Sequence, residues 1–434
     1  MQKRVSSLVI LVGLALSMVS ASCPPRAIDD PLTDLMDAFE EGYARHTQPL
    51  AMAWQDNLPN GQPSRKQLEG HLKYFQQLWT QFEGLQGRPF FSEDHLEISI
   101  LEYEIILQRD RAQLALATEV VDVDQLASLH EHPQGAEWYA WLVRAWTSTN
   151  ITPDSVSNLG YHLANHYRQQ LDALGIAPHL PLDEAGRQHW YTPDQATIED
   201  SLIARHQRAL ANLDDWFPTD FDLANLSFSP VAHERMAQVP GYYTNSTLYY
   251  NTFHTEYDLR QADWLYVHEA IPGHHYQTQY ERVREVPAYR ENLSWGGFRE
   301  GWAAYVEEPE IGQAMGLYQT PQELASMYQW NLIRAVRLVL DVGLNLGELT
   351  DAAALAIWRR YLPNMEAIGQ REIDRMRRWP AQVNSYLVGA HAMRTLRQQQ
   401  QPSLDDAFSI KAFHTQLLSQ RSIPIQCIPK LFPL

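Results

Sequence analysis

The stretch Leu265-Tyr266-Val267-His268-Glu269-Ala270-Ile271-Pro272-Gly273-His274-His275-Tyr276-Gln277 decides how the rest of this chain is understood. It reads as a helix, and His268-Glu269 opens the H-E-x-x-H pattern. There, two histidines one turn apart present their imidazoles to one metal, and the glutamate beside the first activates the metal-bound water. Position 272 holds proline where the second histidine belongs. On a regular helix His274 would lie about 240° round from His268. His275 would return to the same face, but about 10 Å further along the axis. A regular helix therefore cannot share a metal between His268 and either one.

Pro272-Gly273 supplies a reason for distortion. Proline lacks the backbone donor and crowds the carbonyl four residues back, that of His268, while glycine permits the dihedrals needed to resume the helix. A bulge of about two extra residues would bring His274 to the ligand position, and this shorter solution is favoured. One residue more would bring His275 there instead. The chain has 17 histidines, so this string alone also fits a proline-interrupted helix with surface histidines.

Downstream, Gly297-Phe298-Arg299-Glu300-Gly301-Trp302-Ala303-Ala304-Tyr305-Val306-Glu307 reads as a second helix start. Zinc peptidases with two histidines on one helix take a third ligand, a glutamate, from the next, leaving a fourth position for water. Glu300 fits that place, with Gly301 permitting close approach. Glu307, seven residues on and on the same face, is placed to accept a hydrogen bond from a ligand histidine. The bland alternative is a pair of ordinary surface acids.

Around this centre the chain reads as mainly helical. Leu68, Leu72, Phe75 and Leu78 keep helical spacing, as do Leu332, Val336, Val339 and Leu340. Longer patterns run from Glu93 to Ala117 and from Gln382 to Arg397. Thr152-Pro153-Asp154, Thr192-Pro193-Asp194 and Thr320-Pro321-Gln322 each look like a start, with threonine as cap and proline in the first turn. One segment departs from this habit. Tyr242 to Asn251, rich in aromatic and hydroxyl side chains around Asn245-Ser246, predicts a short hairpin or paired strand beside the His-Glu helix. An extended substrate could lie along it, with Tyr250 in contact, or its tyrosines could simply pack against helices.

Length and composition bound the class. The chain has 434 residues, 45% apolar, with 13 tryptophans, enough to bury a large core and too apolar for a disordered chain. Its net charge of −18 argues against a nucleic-acid partner, which needs basic surface. Lys3 and Arg4, an apolar run from Leu8 to Val19 and the small residues Ser20-Ala21-Ser22 predict an export signal over residues 1–22. Residues 23–434 then form a single helical domain of one or two lobes. Cys23, followed by Pro24-Pro25, resembles the lipidated cysteine of a bacterial lipoprotein, although Ser20 stands where an aliphatic residue is usual. The protein is expected in the cell envelope, touching membrane only through that lipid, or otherwise free in the periplasm or medium. Cys427 is the one other cysteine.

His268-Glu269-Ala270-Ile271-Pro272-Gly273-His274-His275, followed by Glu300-Gly301-Trp302-Ala303-Ala304-Tyr305-Val306-Glu307, resembles domain-of-unknown-function family 885. These are exported bacterial proteins, many classed as lipoproteins, grouped with gluzincin-type metallopeptidases. Supporting matches spread from about residue 139 to 395, including Arg334 to Asp341 and Pro380-Ala381-Gln382 with Tyr386 and Gly389. The resemblance implies a zincin-like helical domain that hydrolyses a peptide or related amide. Zinc would be held by His268, His274 and Glu300, with Glu269 as the general base and Tyr386 or His275 as oxyanion donor. Arg375 would pair with a substrate carboxylate, or else with Glu372 in a structural ion pair. Gln382 and Tyr250 complete the expected substrate-binding set. Departures from the family are Asn345 in place of a common histidine, Ala381 in place of glycine and Met376 in place of tyrosine. They keep open an inactive exported metal-binding or scaffold lipoprotein. Histidine and carboxylate ligands also suit iron, so redox chemistry is the other class to separate.

Overall fold

The computed structural model describes residues 30–59, 63–91, 94–176, 182–237, 239–253, 256–404 and 408–432. The export signal and Cys23 lie outside the described residues.

The protein is mainly α-helical. An N-terminal group comprises α1 (Pro31–His46), α2 (Arg65–Glu83), α3 (Asp94–Ala117) and α4 (Gly135–Thr147). Then follow α5 (Pro153–Leu174), α6 (Glu184–Trp190), α7 (Gln195–Trp216), α8 (Ala262–Glu269), α9 (His274–Arg282), α10 (Gly296–Val306) and α11 (Pro309–Ala314). The last group is α12 (Pro321–Asn345), α13 (Asp351–Tyr361), α14 (Glu366–Arg378), α15 (Asn384–Leu404) and α16 (Ile410–Leu418). One apolar core runs through all of this, from Leu32 to Leu431, and Cys427 is buried in it as a free thiol.

Two of the three Thr-Pro starts form as predicted. Thr152 caps Ser155 N–H, and Thr320 makes a reciprocal capping box with Glu323. At the third, Asp194 is the cap and accepts from Thr197 N–H, while Thr192 belongs to a strand. The aspartate wins because its carboxylate caps as well as a hydroxyl and adds charge at the positive helix end.

The strands are short: β1 (Tyr191–Thr192), β2 (Ser227–Pro230), β3 (Gly241–Thr244), β4 (Thr247–Tyr250) and β5 (Tyr257–Asp258). β3 and β4 form the expected hairpin, turning at Asn245 and Ser246 with φ of 48° and 57°, the left-handed pair a tight two-residue turn needs. β2 adds in parallel on the far side of β4, so the order is β2-β4-β3. β3 is therefore an edge.

Two helix pairs position the site. α12 lies along α5, and α10 along α15. The second contact is close because Gly301 and Gly389 face each other. A Cβ on Gly389 would stand 2.0 Å from the Gly297 carbonyl oxygen and 2.7 Å from Gly301 Cα. The close approach expected of Gly301 is thus made, but to α15 rather than to the His-Glu helix. α8 is held by Asp263, fully buried, which pairs with Arg205 of α7 and accepts from Tyr318 N–H; Arg205 in turn reaches Glu323 at 3.1 Å.

Candidate metal centre

α8 delivers His268 and Glu269 from its last turn. The chain then leaves the helix over Ala270–Gly273 and restarts as α9 at His274. The interruption is a break between two helices, not the bulge within one helix that the proline suggested. Several of its backbone groups are nonetheless paired. Ala270 N–H donates to the Tyr266 carbonyl (2.8 Å) and Tyr276 N–H to that of Ala270 (3.1 Å). The Pro272 carbonyl accepts from the Trp302 indole of α10 at 2.9 Å. Gly273 is folded onto the end of α8, where a Cβ would stand 2.0 Å from the His268 carbonyl oxygen. Only glycine fits there.

The break turns His274 back beside His268. The ligand atoms of His268, His274 and Glu300 all lie within 4.8 Å of one another, and no other such trio occurs among the described residues. Nε2 of each histidine is 3.6 Å from Glu300 Oε2. That is too long for a hydrogen bond. It is close to the roughly 3.4 Å between ligands that each stand about 2.0–2.1 Å from a tetrahedral ion. Two imidazoles and one carboxylate at this spacing can hold a metal and leave a position open. His274 Nδ1 is buried without a partner.

Glu307 does stand behind His268. Its Oε1 is 2.7 Å from His268 Nδ1, and its Oε2 takes Arg334 and Asn331 of α12. Arg334 Nη2 is also 3.3 Å from Nδ1 but can only donate, so the shorter carboxylate contact makes Nδ1 the protonated nitrogen and frees Nε2. Without a metal, burial opposes the charged form of His268. Glu300, Glu307 and Glu269 outweigh it and raise its pKa to about 9. Burial likewise opposes charge on Glu300, yet the two imidazoles hold its carboxyl well below the usual range. Two imidazoles so close to two carboxylates suit a bound cation.

A cavity of about 110 Å³ lies beside His268, which lines it with Glu269 and Tyr386. Val239 to Gly241 line it too, as do Trp264 and Trp330, stacked at 4.5 Å. Arg334, Arg337, Glu372 and Arg375 line it as well. The Tyr386 ring stacks on His268 at 6.1 Å between centroids, with the Arg334 guanidinium over it.

Three sequence expectations need correction. His275 does not join the cluster: its Nε2 donates to the Ala224 carbonyl at 2.9 Å and its Nδ1 accepts from Tyr243. Burial lowers its pKa to about 4, so it is a neutral packing residue. The four-residue break leaves His274 as the first residue of α9, and the next side chain necessarily points elsewhere. Tyr250 sits on the central strand β4, fully buried, with its hydroxyl donating to Glu199; the cavity is lined instead by Val239, Pro240 and Gly241, at the start of the edge strand β3. Gln382 is buried beneath the cavity and accepts from Arg375 Nη2 at 2.8 Å. It positions Arg375 rather than lining the space.

Asn345, the departure that cast most doubt on activity, is fully buried and donates to the carbonyls of Asp341 and Met376. It is not among the cavity-lining residues. Arg334, Arg337 and Glu372 were missed as site residues. The available signal was the i, i+3 pair of arginines within an otherwise apolar stretch of α12.

A mainly helical protein with a partly buried His/His/Glu group able to hold a metal, beside a cavity lined by charged residues, is what the fold and site define. The chain belongs to the family of bacterial proteins of unknown function DUF885, whose model matches residues 36–431. It is similar in structure to a "putative lipoprotein" from Colwellia psychrerythraea (19% identity, TM-score 0.62, covering 85% of this chain and 70% of that one). It is also similar to a "putative lipoprotein of unknown function" from Shewanella oneidensis (16%, TM-score 0.55, 91% and 76%). A more distant likeness is to the M32 carboxypeptidase of Deinococcus radiodurans R1 (13%, TM-score 0.45, 93% and 95%). No curated protein matches the chain. No described helix is long and apolar enough to cross a membrane.

Proposed function

We propose that this protein is a zinc-dependent hydrolase of peptide or related amide bonds, acting in the cell envelope and anchored there through Cys23. One observation carries the proposal: three ligand atoms from α8, α9 and α10 converge within 4.8 Å, and one of them, on His268, lines a cavity together with Glu269. His268, His274 and Glu300 would hold the ion. Zinc in that position supplies a Lewis acid for the scissile carbonyl and lowers the pKa of water. Glu269 takes the proton of the attacking water and passes it to the leaving amine. The Tyr386 hydroxyl is the donor for the developing oxyanion. β3 offers a free edge along which an extended peptide can lie.

Elemental analysis of the purified protein tests the metal, with stoichiometric zinc expected in wild type and lost on His268→Ala. Stoichiometric iron instead of zinc would redirect the chemistry. Digestion of a peptide library by the zinc-loaded protein, read by mass spectrometry with and without chelator, tests the reaction. Metal-dependent cleavage that Glu269→Gln abolishes is expected. A folded, zinc-replete protein that cuts no peptide or amide would leave only the inactive metal-binding lipoprotein.

A further inference from the structure

The charges around the cavity are unevenly paired. Arg334 is matched by Glu307. Arg337 and Arg375, by contrast, share one acid. Glu372 Oε2 is 2.9 Å from Arg337 Nε but 3.8 Å from Arg375 Nη1. Glu372 thus lies nearer Arg337, and the hydrogen-bond partner of Arg375 is neutral, the Gln382 carbonyl. Nε of Arg375 is buried with no acceptor. Arg375 is also the accessible one of the three, its side chain 21% exposed against 4% for Arg337 and Glu372. Glu269 lines the same cavity, so the charges there balance overall; what sets Arg375 apart is that no described carboxylate lies closer to it than 3.8 Å. A desolvated guanidinium with free donors calls for a carboxylate, which it can bind through two parallel bonds. The cavity that Arg375 and Glu269 both line is small, about 110 Å³.

We infer that this site, resting on the hydrolase proposed above, removes the last residue of peptides that end in a free α-carboxylate, with Arg375 receiving that carboxylate. Arg337 is a positioning residue: its closer contact holds Glu372 at 3.8 Å from Arg375. In the reaction the water oxygen bonds to the penultimate carbonyl carbon and the C–N bond breaks. One water proton passes through Glu269 to the leaving nitrogen. The products are the shortened peptide acid and one free amino acid.

The test compares N-acylated peptides ending in alanine, as the free acid and as the amide, on the zinc-loaded full chain. The acid should be cleaved at its last bond, and amidation should lower kcat/KM at least 100-fold. Arg375→Gln should reduce the acid's kcat/KM by a similar factor, mostly through KM, and shrink the amidation penalty to a few-fold. Equal cleavage of acid and amide by wild type would overturn the inference while leaving the hydrolase intact. So would efficient cleavage of an amidated peptide whose last residue is aspartate, since the site would then read a side chain. Calorimetry of both peptides with Glu269→Gln separates the other failure. Binding of the acid at least tenfold tighter than the amide, with no turnover by wild type, would support the carboxylate site and refute the hydrolase. Equal binding with no turnover would refute both.

Discussion

Glu307→Gln should weaken metal binding although Glu307 is neither a proposed ligand nor a residue of the cavity wall. The side chain is fully buried, with one oxygen 2.7 Å from His268 Nδ1 and the other on Arg334 and Asn331. Glutamine keeps the shape but not the charge, and it can turn an NH₂ toward Nδ1, which would put the imidazole proton on the nitrogen that must face the ion. Losing such a partner typically weakens affinity about 10–100-fold, or about 1.4–2.7 kcal/mol. A ligand stabilises the fold in proportion to the logarithm of its concentration over Kd. The gap in unfolding free energy between zinc-loaded and zinc-free protein should therefore shrink by the same 1.4–2.7 kcal/mol. The zinc-free baseline will fall as well, by about 3–5 kcal/mol, because Arg334 is left buried without its counter-ion. Denaturant unfolding of wild type and variant, at buffered free zinc and in chelator, separates the two effects. A folded variant whose zinc-dependent gap equals that of wild type would refute the orienting role and leave Glu307 as a partner for Arg334 alone.

His274→Ala should abolish stoichiometric zinc, whereas His275→Ala should keep it and lower the melting temperature, since that ring is buried against Ala224 and Tyr243; zinc analysis beside a thermal melt decides both. Gly389→Ala should destabilise by about 1–3 kcal/mol or more, because the added methyl meets backbone of α10 rather than a flexible side chain; it should also weaken zinc binding, as α10 carries Glu300. Tyr386→Phe should keep its zinc and lose about 10²–10³ in kcat on whatever peptide the library identifies, and steady-state kinetics will show it. Asp341, buried and raised by that burial to about 7 despite donors from Tyr139, Ala381 and Asn384, binds its proton more tightly folded than unfolded. Its contribution is thus full below about pH 4 and lost as pH rises through 7. At about 1.4 kcal/mol per pH unit the window is worth roughly 4 kcal/mol, so urea unfolding of Asp341→Asn should show a flatter pH dependence there than wild type.

The helical class was legible because caps, prolines and apolar spacing are local signals, and α2, α3, α12 and α15 lie where those signals placed them. The metal cluster was legible for a different reason. Pro272 and Gly273 made a regular helix impossible, and few backbones other than a turn back on itself use both. What the sequence could not convey was the form of that turn. A bulge and a break both return His274 to the neighbourhood of His268, and the choice depends on Trp302, thirty residues on, holding the Pro272 carbonyl. Gly301 was correctly marked for close contact but matched to the wrong helix, since its partner Gly389 lies 88 residues away. Tyr250 was misplaced because alternation within a hairpin says which faces differ, not which strand will be covered by a third. β2, joining in parallel from upstream, made β4 central and left β3 as the edge.

The least legible part was the polar face of α12. Asn331, Arg334, Arg337, Asp341 and Asn345 follow one another at intervals of three or four, and all are buried. Read as a helix surface they would be the solvent side. In the fold each is answered by a different neighbour: Arg334 by Glu307 after α10, Arg337 by Glu372 of α14, Asp341 by Tyr139 of α4 and Asn384 of α15. Buried ion pairs recover little net stability over apolar packing of equal volume, so stability alone is a poor reason for this stripe. Its geometry offers a better one. The same helix that sets Glu307 behind His268 also holds Glu372 away from Arg375. The orientation of His268 and the separation of Glu372 from Arg375 are consequently both set by one helix, α12.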